Sequence, residues 1–400
     1  MPVTAIVLAG AGARGAYEAG LVSVLVPRLM KEPDWDDDNR IVIVGTSAGA
    51  INTAALSAHR NPLEATAAAL DIWTSVKVSD IFSGLRTTTL RNTFAYGAQV
   101  LGRESHLRCL LDSSPLQRTM QERLDWGHLR TNLDSGDSWV DTAGIVTTAC
   151  STGRTVIFLQ GKNCKKPPPD ILSGVDYALA DLDVPHVLAS AAIPGAFRPV
   201  HVDQPEIAGG WYIDGGVRLN APIKPALSLQ ADRVVVVATT PDPDTPRATP
   251  ITASEPDVFD AAGVVANAVM VDRMAEDVRS LRRTNALIKA TGKAGRAATA
   301  ARSGGTTYRV VPHLFLGPPA PGIIAEAANR VFGKRYGSWK ARFSDLGVLG
   351  HLLGGSHQSH GEALSFLFFD PAFHTELIEL AQQHATTALG PPGTPLAWRE

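Results

Sequence analysis

Residues Ile41 to Asn52 read I-V-I-V-G-T-S-A-G-A-I-N. Four consecutive β-branched residues predict a buried strand. Ala48, Ala50, Ala54 and Ala55 predict a helix of small residues directly after it. Between the two, Gly45 and Gly49 bracket Ser47 in the pattern G-x-S-x-G. This pattern places a serine at the tip of a sharp strand-to-helix turn. The flanking glycines let strand and helix approach closely and let the turn take a strained conformation. A serine held there sits at a helix N-terminus, where N–H groups and the dipole favour developing negative charge. Ser47 is therefore the candidate nucleophile. So short a motif also occurs in ordinary turns, and its meaning rests on partners elsewhere in the chain.

Upstream, a strand over Thr4–Ala9 runs into Gly10-Ala11-Gly12-Ala13-Arg14-Gly15, followed by a helix with Tyr17, Leu21, Val24 and Leu25 on one face. The hexapeptide satisfies G-x-G-x-x-G, which raises a dinucleotide-binding fold. That fold needs an acid at the end of the second strand to hold ribose hydroxyls. The second strand ends Val44-Gly45-Thr46-Ser47, and the acids Asp34 to Asp38 lie in a loop before it. The dinucleotide reading fails on that point. If the two strands are parallel neighbours, both loops emerge at one sheet edge and the glycine loop serves the serine instead. Its backbone N–H groups then face an oxyanion. Arg14 either meets a substrate phosphate or braces the loop; bracing is preferred, because a loop this rich in glycine needs fixing.

Downstream, Asn61–Leu133 reads as mostly helical with no chemical motif, and Trp126 belongs to its packing. G-I-V-T-T-A-C-S from Gly144, a turn at Thr152-Gly153 and T-V-I-F-L form a hairpin pattern, followed by a Lys/Pro surface linker at Lys165–Pro169. A helix then enters Ser190-Ala191-Ala192-Ile193-Pro194-Gly195-Ala196-Phe197-Arg198-Pro199, where Pro194 forces a turn. Trp211-Tyr212-Ile213 is a strand that delivers Asp214 at its end, and Gly215 and Gly216 clear space around it. Asp-Gly is also a common turn pair, so Asp214 by itself is only a candidate. R-V-V-V-V-A at Arg233–Ala238 is a fully buried strand of the parallel type. Beyond it come a Pro/Asp/Thr-rich loop, a long helix over Ala261–Leu287, a flexible linker over Thr291–Gly305, a strand over Tyr308–Leu316, further helices and a loose Pro/Gly-rich tail.

Composition bounds the remaining possibilities. Four hundred residues with 44% hydrophobic content bury a large core. A formal charge of −2 provides no general attraction to nucleic acid, and none is expected as a partner. Cys109, Cys150 and Cys164 match neither a disulfide framework nor a zinc spacing. The N-terminal residues lack the pattern of a secretory signal, and no run of eighteen apolar residues occurs, so a cytoplasmic protein is expected. The segment 279–309 carries basic residues without acids; a solvated helix end with a flexible linker is the preferred reading, with a slight tilt towards peripheral contact with an anionic membrane.

Four blocks in this order resemble the patatin-like phospholipase family of serine acyl hydrolases. They are Gly10–Gly15, Gly45–Gly49, Ser190–Pro199 and Asp214-Gly215-Gly216; Asn220 and Pro222 also fall where the family pattern has them. The one departure is Ala11, where the motif often has glycine, and alanine keeps the backbone N–H. The resemblance covers roughly Thr4–Thr240. It implies a three-layer α/β/α fold with a mainly parallel central sheet. Residues 1–240 would form the catalytic core, with 241–390 a helical and strand extension packed on the same domain.

The resemblance also implies a Ser47–Asp214 dyad, the Gly10–Gly15 loop as oxyanion hole, and Gly45, Gly49, Pro194, Gly215 and Gly216 as motif support. The implied activity is hydrolysis of acyl esters in phospholipids or other acyl lipids, with no metal ion and no cofactor. A carboxylate is a weak base at its ordinary pKa, so this mechanism requires burial to raise Asp214. Two alternatives stand beside it. One is a non-phospholipid esterase or a Ser–His–Asp hydrolase, the latter with His313 or His351 as base. The other is a catalytically silent lipid-binding protein on the same fold.

Overall fold

The computed structural model describes residues 2–36, 38–83, 111–246, 272–302, 309–337, 346–347 and 358–400, with side chains left aside at 272–273, 293–302 and 358–360. In chain order its elements begin with β1 (Val3–Leu8), α1 (Gly15–Leu29), β2 (Arg40–Thr46), α2 (Ala48–Ser57), α3 (Pro62–Ser75) and α4 (Val78–Ile81). Next come α5 (Ser114–Arg123), α6 (Trp126–Ser135), β3 (Val140–Ala149), β4 (Thr155–Gln160), β5 (Val175–Leu179) and α7 (Val184–Ser190). The strands β6 (Val200–Val202) and β7 (Gly210–Asp214), helix α8 (Ile223–Ser228) and strand β8 (Arg233–Val237) follow. The chain continues with α9 (Asp272–Arg302), β9 (His313–Leu316), α10 (Ile323–Tyr336), α11 (Gln358–Leu367) and α12 (Pro371–Leu389).

All nine strands among the described residues join one sheet, in the order β5-β4-β3-β2-β1-β8-β9, with β7 paired to β3 and β6. The pairs β1–β2, β1–β8, β2–β3, β4–β5 and β8–β9 are parallel. Alternate residues of the central strands enter two separate cores. Ile6, Leu8, Ile41, Ile43, Val235 and Val237 face α1, α2, α3 and α12. Ala5, Val7, Val42, Val44, Val234 and Val236 face Ile223 and Ala226 of α8 and Met274, Val278 and Leu281 of α9. Burial on both faces explains why these strands are apolar throughout rather than alternating. The result is a three-layer α/β/α arrangement around a mainly parallel sheet.

Strand β3 organises the carboxyl edge. Along one side it pairs with β4 over Ala143–Thr148. Its other side is divided between two strands: β2 runs parallel to it as far as the pair Thr46↔Val146, and β7 runs antiparallel from the pair Asp214↔Thr147. The last residues of β2 and β7 therefore meet at consecutive positions of β3. That is what brings residues 47 and 214 together.

The C-terminal region is built onto the same sheet. β9 extends it beyond β8, and α12 lies along α1, where Gly20 packs against Ala381 and Ile378. Two expectations are corrected. Residues 291–302 continue α9 as helix, interrupted at Gly292 (φ 57°, ψ −149°), instead of forming a linker. The chain end is not a loose tail: Leu396 is buried, Arg399 exchanges backbone hydrogen bonds with His313 (2.7 and 2.9 Å), and Arg28 donates to the Gly390 and Thr394 carbonyls. The cations of segment 279–309 are also less free than their sequence suggests. Arg282 pairs with Asp242 and Asp244, Arg283 with Glu276, Lys289 with Glu400 and Arg309 with Asp232. Cys109 and His351 lie outside the described residues.

Candidate active site

Ser47 stands between β2 and α2 with φ 55° and ψ −119°, a left-handed conformation that a non-glycine residue rarely adopts. The surrounding structure holds it there from several sides. Its N–H donates to Ser190 Oγ (2.8 Å), and that hydroxyl donates to the Val146 carbonyl of β3 (2.6 Å). Its carbonyl accepts from Ala50 N–H at 2.9 Å and opens α2. Thr46 Oγ1 donates to the Leu219 carbonyl at 3.1 Å. Gly49 lies so close to β1 that an added Cβ would sit 2.9 Å from Leu8 Cβ, so the glycine after the serine is required by contact. Ser47 itself is 3% exposed.

Asp214 closes β7 and is fully buried. Its N–H donates to the Ala192 carbonyl (2.9 Å), its carbonyl accepts from Thr148 Oγ1 (3.1 Å), and its Oδ1 accepts from Gly216 N–H (2.7 Å). Gly215 passes against the Val146 carbonyl with no room for a side chain. The second carboxyl oxygen, Oδ2, has no hydrogen-bond partner among the described residues. Burial raises the Asp214 pKa from 3.8 to about 7. The neighbouring Ser47 hydroxyl and the Gly216 N–H oppose part of that rise. The hydroxyl does so without closing a hydrogen bond to Oδ2.

The Gly10–Gly15 loop borders Ser47 directly. A Cβ on Gly10 would lie 3.2 Å from Ser47 Cβ, and one on Gly15 would lie 2.8 Å from Ala48 Cβ. Not all six residues offer an N–H to this space. Gly10 N–H is taken by Asn220, through its side-chain oxygen (2.9 Å) and its carbonyl (3.2 Å). Arg14 N–H bonds the Ala11 carbonyl, and Gly15 N–H bonds the Gly12 carbonyl. Gly12–Arg14 is a 3-10 turn leading into α1, so Gly12 and Ala13 present the open N–H groups of a helix start. Gly12 holds φ 55°, and a Cβ there would collide with the Phe366 carbonyl oxygen.

Beneath the loop, Glu18 is fully buried, and burial keeps its pKa well above the ordinary range. Asn52 Nδ2 donates to Glu18 (3.2 Å) and to the Gly15 carbonyl (3.0 Å), and Asn52 Oδ1 accepts from Trp73 Nε1 at 2.7 Å. Arg14 braces the loop, as the sequence reading prefers. The residue is 1% exposed and its guanidinium is bonded to Ser365 and Glu362 of α11, which leaves no opening for a substrate phosphate.

Five of the contributors had no role assigned from sequence. Ser190 and Asn220 lie within or beside the quoted blocks, and a polar residue among small or apolar neighbours was the available signal. Glu18, Glu362 and Ser365 carry no local signal. Pro194 lies at the exposed turn after α7 and touches neither Ser47 nor Asp214 through a hydrogen bond. The histidine alternative is corrected for His313. That residue opens β9, three strands from β2 and level with Val42, and its Nε2 accepts from Arg282 Nε at 3.1 Å. Among the described residues no histidine bonds Ser47 or Asp214. The described residues also contain no cluster suited to a metal ion.

A three-layer α/β/α protein with a strained serine and a buried aspartate converging at the carboxyl edge of its sheet is the class this geometry defines. The model of the patatin-like phospholipase family matches residues 6–227, more than half of the chain, and the chain belongs to that family. Membership implies a lipid acyl hydrolase. The crystal structure of VipD from Legionella pneumophila is similar at 12% identity over 96% of this chain and 67% of that chain; its TM-score of 0.31 carries no weight for fold or function. Among curated proteins none matches.

Proposed function

We propose that the protein hydrolyses carboxylic esters of phospholipids or other acyl lipids through a Ser47 acyl-enzyme, with Asp214 as general base. The observation that carries this reading is the buried Asp214 Oδ2, unpartnered among the described residues beside a serine in a strained turn. A buried acceptor without a donor is costly, and a substrate-activated serine proton would satisfy it.

In this reading Ser47 Oγ attacks the acyl carbonyl carbon while its proton passes to Asp214 Oδ2. The carbonyl oxygen becomes an oxyanion, for which the N–H groups of the Gly10–Gly15 loop, Gly12 and Ala13 foremost, supply preorganised donors. Collapse breaks the ester C–O bond, and the leaving alcohol takes the proton back from Asp214. Water then attacks the acyl-enzyme, again giving a proton to Asp214, and the acid returns it to Ser47 Oγ as the fatty acid leaves. A base with a pKa near 7 both accepts and returns a proton readily at neutral pH.

Hydrolysis by wild type, Ser47→Ala and Asp214→Asn on a medium-chain p-nitrophenyl ester and on phospholipid vesicles tests the proposal. Loss in both variants, with fatty acid released from vesicles, supports it. Unchanged rates in Ser47→Ala reject it, and a wild type inert on every ester points to the silent lipid-binding alternative. Peripheral bilayer contact through segment 279–309 belongs to the proposal in reduced form, since four of its cations already have acidic partners.

A further inference from the structure

We infer that Glu362 and Ser365 of α11 are positioning residues for the Gly10–Gly15 loop, so that a helix outside the family-matched segment sets the geometry of the proposed oxyanion site. The inference rests on the function proposed above for that loop.

The loop is held at both ends by different parts of the chain. At its start, Gly10 N–H is fixed by Asn220. At its end, Arg14 carries a charge into an almost fully buried position, which is tolerable only if that charge is paired and hydrogen-bonded. Every partner shown for the guanidinium lies on α11. Nε donates to Ser365 Oγ at 2.8 Å, and Nη2 donates to the same oxygen at 2.6 Å. Nη2 also donates to the Glu362 carbonyl (3.0 Å) and ion-pairs with the Glu362 carboxylate. The guanidinium plane sits 3.9 Å from the centre of the Phe366 ring. Ser365 Oγ is itself aimed by donating to the Glu362 carbonyl at 2.7 Å.

Backbone meets backbone in the same place. Gly12 sits under the Phe366 carbonyl in a conformation at φ 55°, with no space for a side chain. Gly12 and Ala13 open the 3-10 turn, where N–H groups have no partner within the turn itself. A shift of α11 is therefore transmitted to those donors both through Arg14 and by direct contact. α11 is in turn seated at Gly361, where an added Cβ would lie only 2.9 Å from the Ala325 carbonyl oxygen and 3.1 Å from Ala325 Cβ of α10.

Oxyanion donors act on the transition state more than on bound substrate, so misplacing them lowers kcat and leaves KM in place. Ser365→Ala and Glu362→Gln are measured on the soluble ester, with Ser47→Ala as reference and folded fraction checked by circular dichroism. The expected result is a fall in kcat of about 10- to 100-fold in each variant, with KM within about twofold and the pH midpoint unmoved. Glu362→Asp, which keeps the charge, should recover part of the loss seen in Glu362→Gln. Rates that fall only in proportion to unfolded protein, or a kcat equal to wild type in both variants, overturn the inference. If Ser47→Ala is as active as wild type, the function proposed for the site fails and this inference with it. Activity that depends on Ser47 but is indifferent to α11 overturns this inference alone.

Discussion

The two halves of the candidate site are built by opposite means. The Ser47–Asp214 half is assembled from strand ends inside the sheet, where β2 and β7 terminate against consecutive residues of β3. The Gly10–Gly15 half is a loop whose arginine is held by a helix some 350 positions away in sequence, with separations of 348 and 351 residues. The first half is anchored by the sheet, because Asp214 pairs with Thr147 and Ser47 follows directly on Thr46, which pairs with Val146. The second depends on how α11 and α10 seat against the core. A similar contrast separates the two buried acids. Asp214 keeps a donor in Gly216 and a neighbour in Ser47, and its pKa stops at about 7. Glu18 is fully buried beneath the loop, and that burial holds its pKa well above the ordinary carboxylate range. One environment would poise the proposed base; the other braces the loop.

The contrast is open to direct attack. The largest effects belong to the sheet half: Ser47→Ala should reduce kcat on the order of 10⁴-fold or more, and Asp214→Asn about 10²- to 10⁴-fold. Both should exceed the losses expected for the α11 variants. Equal losses in the two halves would mean that the loop is as tightly determined as the strand ends.

Stability offers the next test. The Asp214 carboxyl is raised from 3.8 to about 7 on folding, so the folded state binds more protons than the unfolded chain between those values. Stability due to this group is then full below about pH 4 and falls until about pH 7, above which the full penalty persists. Asp214→Asn cannot ionise, and its unfolding free energy at pH 9 should exceed that of wild type by up to about 4 kcal/mol. The gain should vanish at pH 4. Chemical denaturation at both pH values measures it; an Asn variant less stable at pH 9 would show that the carboxylate is better solvated than its burial indicates.

Activity should follow the same group. The rate kcat/KM should climb with pH through a midpoint near 7. A midpoint near 4 would remove burial as the source of the base strength. The smallest effect concerns the surface. With Arg282, Arg283, Lys289 and Arg309 paired to acids, binding to anionic vesicles should change less than about threefold between 50 and 500 mM salt. A steep fall would restore segment 279–309 as an electrostatic anchor.

Much of this molecule was legible locally. The strands of Ile41–Val44 and Val234–Val237 declare themselves because double burial demands unbroken apolar runs. The turn at Ser47 is legible because strand, glycine and small-residue helix are contiguous. Residues 291–302 misled because Gly and scattered Ala/Arg resemble a linker, although alanine and arginine are also strong helix formers and the helix continues past its kink at Gly292. The tail misled because its prolines and glycines say nothing of Leu396, which finds a buried seat beside Glu32. The acid-free run at 279–309 looked unpaired because its partners Asp232, Asp242, Asp244, Glu276 and Glu400 lie outside it.

By itself, then, the sequence determined the layer pattern, the sharp serine turn, and the aspartate at a strand end, since each depends on neighbours within a few residues. Only the tertiary structure decided that β2 and β7 share one side of β3, and hence that Ser47 meets Asp214. It alone placed Ser190 on the Ser47 N–H, buried Asp214 deeply enough to raise its pKa, and handed Arg14 to Glu362 and Ser365. Register, burial and the pairing of buried charge are properties of chain segments brought together from far apart, and no local pattern encodes which distant residue will arrive.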